Sequence, residues 1–350
     1  MLLRILLLPF AWLYDLVTRL RNYLYETGVF KATQPPVFSI CVGNLTVGGT
    51  GKTPHVAFLI EHLVDKYKIS VLSRGYGRQT SGFTLASAGT TAQQIGDEPM
   101  QYFLQYGGQI TVAVGEKRTD AIEQIMAARP QTQLVILDDA LQHRSLKAHL
   151  NILLTDCFRP FYDDYLIPAG RLREARVGAS RADVVVVTKC SAGLSEAEKT
   201  LIESRVAAYT KPNTPVYFST VVYQKPIAYF ENTEAFDPQQ PVVLMSAIAQ
   251  PKHFEQAARN EFEVQDHFVF SDHHDFSTED LTKIVRQNKP ILTTEKDMVK
   301  LKPLLKTLNL THVAMYYWPI SVQFLGHQHK LPFEDWVLAR IKQGFVQVEK

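Results

Sequence analysis

The segment Gly43-Asn44-Leu45-Thr46-Val47-Gly48-Gly49-Thr50-Gly51-Lys52-Thr53-Pro54 constrains the fold of this chain more than any other stretch. It joins an apolar run, Val37 to Val42, to the helical apolar spacing of Val56, Leu59, Ile60 and Leu63. A small-residue turn between a buried strand and a helix lets consecutive backbone N–H groups converge on one anion. The helix N-terminus adds its own partial positive charge. In this reading Thr46, Gly48, Gly49, Thr50 and Gly51 shape a phosphate cradle for a nucleotide triphosphate. Lys52 carries a point charge to the outer phosphates, and Thr53 offers a hydroxyl to magnesium. One position departs from the usual motif: the residue five before Gly51, normally glycine, is Thr46. Gly43, Gly48 and Gly49 supply the small residues of a variant loop, and a purely structural Gly-rich turn is the alternative.

Composition narrows what surrounds that loop. A chain of 350 residues predicts two domains, or one large domain with insertions. With 46% hydrophobic and 21% charged residues it can fill a core, and a net charge of +2 argues against a strongly basic nucleic-acid surface. Cys41, Cys157 and Cys190 are widely separated and form no CxxC pair, which suits a reducing, intracellular compartment and excludes a cysteine-based zinc site. The N-terminus is unusual. Ile5 to Tyr14 contains no charge, yet ten residues are too few to cross a bilayer as a helix, and no small-residue cleavage pattern follows. Leu6, Phe10, Leu13, Val17, Leu20 and Leu24 recur in steps of four and three, with Arg4, Asp15, Arg19 and Arg21 as the charges and Trp12 and Tyr14 as interface aromatics. The stripe fits a helix lying in a membrane surface, and equally one packed on its own domain or a partner.

Beyond Gln34-Pro35-Pro36 short apolar runs alternate with helical patterns: Ser70 to Ser73, Ile110 to Val114, Leu134 to Leu137, Asn151 to Leu154 and Val184 to Val187. Continuous hydrophobicity of this kind belongs to strands covered on both faces. The expected architecture is α/β, a doubly wound, mostly parallel sheet of the P-loop type. A second strand–helix series from Val242 to Tyr317 predicts a smaller α/β domain. We place an N-terminal docking helix over 1–30, a core domain over 31–222 and the smaller domain over 223–350, with the last helix, Phe333 to Ile341, able to return to the core.

Leu134-Val135-Ile136-Leu137-Asp138-Asp139 reads as a buried strand ending in two carboxylates, the usual magnesium-holding partner of a phosphate loop. Adjacent side chains leave a strand in opposite directions, so the two aspartates should differ in role. Gln142-His143-Arg144 follows and could meet phosphate or sugar hydroxyls, or close a capping turn. Asp97, in Gly96-Asp97-Glu98-Pro99, is either a helix cap or a general base aimed at an acceptor hydroxyl. Pro168-Ala169-Gly170-Arg171-Leu172-Arg173-Glu174 could be a flap closing on phosphates or an ordinary loop, and Arg118 opens a helix as an anion ligand or a solvated charge. Asp272-His273-His274 lacks the i, i+4 spacing of helical metal ligands. Thr188-Lys189 resembles a guanine-reading strand, but Ser191 stands where the base-binding aspartate would be, which excludes GTP.

Together these segments resemble the tetraacyldisaccharide 4′-kinase (lipid A 4′-kinase) family. The likeness rests on residues 43–54, Ser73-Arg74-Gly75-Tyr76-Gly77, Gly96 to Pro99, Asp138 to Arg144 and Pro168 to Glu174 in that order, extended by Asp272 to His274 and Thr293 to Asp297. Ala140-Leu141 and the stretch Met245 to Pro251 differ slightly from the family's form. The resemblance implies an ATP-dependent, magnesium-dependent kinase at the cytoplasmic face of the bacterial inner membrane. Its acceptor would be the 4′-hydroxyl of a membrane-embedded tetraacylated glucosamine disaccharide 1-phosphate. It implies catalytic roles for Lys52, Asp97 as base and His273 orienting it, and nucleotide contacts from the cradle and Arg173. Magnesium would be held by Thr53, Asp138, Asp139 and Glu174, and substrate by Glu98, Arg118, Gln142 and His143. Competing readings are a metal-dependent phosphoesterase built on Asp272, His273 and His274, and a non-catalytic ATP-binding membrane adaptor.

Overall fold

The apolar runs become the centre of a nine-stranded sheet in the computed structural model, which describes residues 2–326 and 330–348. A long helix, α1 (Leu2–Glu26), comes first. The strands then follow as β1 (Phe38–Asn44), β2 (Ile69–Ser73), β3 (Thr84–Leu85), β4 (Thr111–Val114), β5 (Leu134–Asp138), β6 (Leu150–Asp156), β7 (Val184–Thr188) and β8 (Val216–Tyr223). Between them lie α2 (Lys52–Leu63), α3 (Ala92–Ile95), α4 (Asp97–Tyr106), α5 (Arg118–Ala128) and α6 (Glu196–Ala207). Along β5, Leu134 and Ile136 pack with Val56, Leu59 and Ile60 of α2 and Tyr102 of α4. Val135 and Leu137 pack on the other face with Ile122 and Ile125 of α5. That period of two is what a strand covered on both faces requires.

After β8 the chain builds a second sheet from β9 (Ile227–Ala228), β10 (Val242–Ser246), β11 (Val264–Val269), β12 (Ile291–Thr294) and β13 (Met315–Trp318), with α7 (Pro251–Glu261), α8 (Thr278–Val285) and α9 (Glu295–Thr307) around it. It then returns: β14 (Ile320–Leu325) pairs antiparallel with β8, and Phe333, Val337 and Ile341 of α10 (Phe333–Val348) join the core of the first sheet. The spatial orders are β14-β8-β7-β6-β1-β5-β2-β4-β3 and β11-β10-β12-β13-β9. Val222 lies within β8, paired with Ser321, so both crossings between the sheets fall just beyond it, around Gln224 and Pro319. There the indole N–H of Trp318 donates to the Gln224 carbonyl (2.6 Å), and the Tyr223 ring lies 4.0 Å from that of Trp318. We refer to the two sheets with their helices as the first and second lobes.

Helix α1 rests on the first lobe by one narrow stripe. Ala11 and Thr18 are buried, while Leu6, Phe10, Leu13, Val17 and Leu20 of the sequence stripe are each more than half exposed, as are Trp12, Leu16 and Tyr23. Leu24, the last residue of that stripe, is half-buried. Among the described residues no helix is long and apolar enough to cross a membrane.

Candidate active site

The site begins with strand order. β1 and β5 are neighbours in parallel register, with Val42 opposite Asp138, so the loop after β1 and the acids after β5 emerge side by side at the carboxyl edge of the sheet. Open α/β sheets bind ligands at that edge. A Cβ on Gly43 would stand 2.7 Å from Leu141 Cβ, so the approach of the loop to the acidic turn requires glycine. Gly51, just before α2, holds φ 81°, a left-handed conformation that bends the chain into the helix.

Asn44, fully buried, organises the loop. Its amide donates to Thr50 Oγ1 (2.8 Å) and Thr46 Oγ1 (3.4 Å), and its Oδ1 accepts from Lys52 Nζ (3.4 Å) and from Arg173. Its carbonyl accepts from Gln142 Nε2 (2.8 Å). The sequence assigned Asn44 no role; its place at the junction of strand and loop was the available signal. The supposed flap is no free flap. Val47 N–H donates to the Arg171 carbonyl (2.7 Å) and Arg173 N–H to the Leu45 carbonyl (2.7 Å), with Thr46 bridged antiparallel to Leu172. Residues 168–174 are therefore a strap bonded to the phosphate loop. This also accounts for Thr46, which is buried in an extended pairing with the strap.

The adjacent aspartates differ in kind. Asp139, at φ 55°, turns outward and is gripped bidentately by Arg173 (2.8 and 3.0 Å), with Lys52 Nζ at 3.6 Å. These cations outweigh burial and hold its carboxyl below the usual range. Asp138 points into the protein, where burial, opposed by Lys52, pushes it up to about 7. Its Oδ2 accepts from Tyr102 (3.1 Å), whose hydroxyl also bonds Thr53, and its Oδ1 is buried without a partner. An unpartnered carboxylate oxygen beside a threonine hydroxyl is a hard-oxygen pair suited to magnesium, an ion that takes few protein ligands and completes its shell with phosphates and water. Glu174, expected among the magnesium ligands with Thr53, Asp138 and Asp139, sits in a ring of N–H donors. Fully buried, it accepts from Arg181 (2.6 Å), Gln142 (2.9 Å) and Asn22 (3.1 Å), so N–H donors occupy both oxygens. Those donors, Arg181 foremost, hold its carboxyl low against burial.

The phosphate loop forms one wall of a cleft of about 1580 Å³ that runs between the lobes. Glu98, Arg118, Gln142 and His143 line it, together with Arg74 and Tyr76. Arg118 is buried and donates to the Gly115 carbonyl (2.5 Å), and its backbone N–H donates to His143 Nε2 (3.3 Å). Burial, with Arg118 and Arg74 nearby, brings the His143 imidazole down to about 4, so it is neutral at pH 7. From the second lobe His273 reaches across, and its Nδ1–H donates to Asp97 Oδ2 at 2.9 Å. Lys300 Nζ lies 3.3 Å from the same oxygen, and Lys296 Nζ stands 3.0 Å from His273 Nε2, which can accept from it only while the imidazole is neutral, and 3.6 Å from Glu98. Burial opposes ionisation of Asp97, but His273 and Lys300 prevail and hold it below the usual range. The hydrogen bond to Asp97 raises His273. Two further lysines reach the site: Lys300, which the sequence reading missed, and Lys189, which it considered only for guanine. Lys300, one helical turn past Lys296, was legible from spacing. Lys189 bonds the Gly49 carbonyl (2.5 Å), Asp156 (2.9 Å) and Gln250 (3.3 Å), tying the loop to both lobes.

The family model for LpxK, tetraacyldisaccharide-1-P 4′-kinase, matches residues 3–342 of this sequence. The chain belongs to that family. Among similar curated proteins, the tetraacyldisaccharide 4′-kinase of Cytophaga hutchinsonii is 41% identical over 94% of each chain. That of Flavobacterium johnsoniae is 40% identical over 98% of each. A crystal structure of LpxK from Aquifex aeolicus in complex with ATP superposes with a TM-score of 0.75 at 27% identity, covering 97% of this chain and 99% of that one. The tetraacyldisaccharide-1-P 4′-kinase likeness therefore spans both lobes and α1, and the P-loop-type α/β fold expected from sequence is the one observed.

The metal-hydrolase alternative draws no support from these contacts. His273 is committed to Asp97, and His274 turns away to Asp280 (3.0 Å) and stacks on Phe270. Among the described residues no group of three or more His, Cys, Asp or Glu is arranged to hold a metal ion.

Proposed function

We propose a division of labour for the ATP-dependent phosphorylation of the 4′-hydroxyl of a tetraacylated glucosamine disaccharide 1-phosphate. The chain is a kinase by family. The observation that carries the assignment of roles is the meeting of Asp97 and His273, 176 residues apart, across a cleft whose other wall is the phosphate loop.

The backbone amides of residues 48–51 cradle the triphosphate, and Lys52 neutralises charge on its outer oxygens. Asp138 and Thr53 would hold magnesium, which would supply charge neutralisation for the phosphates. Asp139 keeps Lys52 and Arg173 in place, and Glu174 positions Gln142 and the strap. Asp97 accepts the proton of the acceptor hydroxyl as that oxygen bonds to the γ-phosphorus and the bond to the β–γ bridging oxygen breaks, releasing ADP. The transition state is loose, so orienting the hydroxyl matters more than basicity, and a carboxylate held ionised by His273 and Lys300 suits the task. Arg118 and Lys296 face the acceptor, where a phosphorylated sugar calls for cations, and the Glu98 carboxylate can accept from its hydroxyls.

The same reading makes α1 a docking helix on the cytoplasmic face of the inner membrane. Its support is the apolar stripe left open to solvent, with Trp12 and Tyr23 beside it. Purified full-length chain, radiolabelled ATP and the disaccharide acceptor in detergent give a labelled lipid product if the reading holds. Folded wild type that yields none removes it.

A further inference from the structure

Two consecutive residues of the strap are held by α1. The Tyr14 hydroxyl donates to the Arg173 carbonyl (2.8 Å), and Asn22 Nδ2 donates to Glu174 Oε2 (3.1 Å). Tyr14, Thr18 and Asn22 recur every four residues, so they share one face of the helix, and Thr18 between the two donors is buried. The apolar, exposed side of α1 lies opposite. Beyond the strap both contacts lead to one residue. Arg173 reaches Asn44 directly, and Glu174 reaches it through Gln142. Asn44 in turn bonds Thr50 and Lys52, which belong to the phosphate cradle. From the exposed helix to the cradle there are thus two short hydrogen-bonded routes, built from buried or half-buried groups that exchange little with solvent.

We infer that α1 braces the phosphate site, and that Tyr14 and Asn22 are positioning residues through which a lipid surface tightens the binding of MgATP. The inference rests on the readings of α1 as a docking helix and of the cleft as the nucleotide site. Its physical basis is differential binding. α1 meets the body along one stripe and leaves Leu6, Phe10, Trp12, Leu13, Val17 and Leu20 in water, so in solution its apolar side has no partner within the described residues. A lipid surface that takes up the apolar side fixes the helix with its polar stripe inward, which favours the strap-bound arrangement that orders Arg173 and Asn44. By linkage, a ligand that favours that arrangement raises affinity for any other ligand that needs it.

The test measures the MgATP Kd of the full chain with and without acceptor-free vesicles of phosphatidylethanolamine and phosphatidylglycerol. For wild type, vesicles should lower Kd by about fivefold or more, the lower end of ordinary coupling. The double variant Tyr14→Phe, Asn22→Ala keeps the whole apolar side, so it should still sediment with the vesicles. Without vesicles its Kd should stay within about twofold of wild type, and the vesicle response should be gone. A merely structural role would instead shift both conditions alike. Tyr14→Phe alone removes one hydroxyl and keeps the ring, and should show a reduced response even if the double variant folds poorly. The inference is overturned if wild-type Kd ignores the vesicles or if the variants respond as wild type does. Wild type that binds MgATP but fails to sediment overturns the docking reading with it, whereas a chain that binds no MgATP under any condition overturns the kinase reading itself.

Discussion

The two walls of the cleft are built in opposite ways. The phosphate-loop wall comes from one continuous segment, residues 43–54, braced by neighbouring strands of the same sheet and by a strap bonded to it edge to edge. The facing wall is a set of contacts between lobes: His273 and Lys300 on Asp97, Lys296 near Glu98, and Gln105 of α4 on Glu295 of α9. The first wall belongs to one lobe, apart from the bond from Lys189 to Gln250. The second exists only while they are closed, because each partner belongs to a different lobe. Binding of nucleotide and assembly of the base can therefore be separated, the usual logic of an enzyme that completes its catalytic set on closure.

Substitutions on the two walls should fail differently. Lys52→Ala has the largest expected effect: about a thousandfold lower kcat, with weakened MgATP binding, measured by turnover and calorimetry. Near-normal turnover would show that the loop charge is not used in transfer. Asp97→Ala should lower kcat by about a hundredfold and leave MgATP affinity within about twofold, the separation expected if nucleotide belongs to one wall and the base to the other. Equal losses in both would erase the contrast, and wild-type turnover would reduce Asp97 to a helix cap. Arg173→Lys, which keeps the charge but loses the bidentate grip on Asp139, should cost about tenfold in kcat/KM for ATP.

The inter-lobe wall also has a pH signature. His273 is raised above 6.5 by Asp97, so its contribution to closure is full below that value and is lost as pH rises through the raised one. Asp97 is depressed, so its contribution is present above 3.8 and is lost as pH falls through the depressed value. Between those limits the pair is complete. The melting temperatures of wild type and His273→Gln should accordingly differ more near about pH 5.5 than near about pH 8.5. A difference that does not change with pH would mean that the imidazole packs without being charged. The smallest effect is expected from Gly43→Ala: a Cβ there meets Leu141 at 2.7 Å, and overpacking of that kind costs about 1–3 kcal/mol, read as a lowered melting midpoint. Unchanged stability would mean that the acidic turn yields easily to the loop.

Much of the first wall was legible because it is local. Strand, small-residue turn and helix lie in one continuous stretch, residues 38–63, and the dual carboxylates close a run whose hydrophobicity marks a buried strand. Side-chain alternation also foretold that Asp138 and Asp139 would part ways, which they do, one toward Tyr102 and one toward Arg173. The surroundings of the acids were less legible, since Glu174 belongs to the same motif as Arg173 while its partners Arg181, Gln142 and Asn22 come from other segments of the chain. The pairing of Thr46 with Leu172 was illegible for a similar reason: the segment that meets it is remote in sequence.

By itself, then, the chain's order of residues determined the alternation of strands and helices, the phosphate loop and the amphipathic character of α1, because backbone geometry and side-chain period act over a few residues at a time. Only the tertiary structure decided that Asn44 meets Arg173 and Asn22 meets Glu174, and it brings Asp97 to His273, a pairing that the family resemblance implied but no rule of spacing reached. Those pairings depend on strand order and on the return of β14 and α10 to the first sheet. Such contacts span more than a hundred residues, and no local rule of spacing reaches that far.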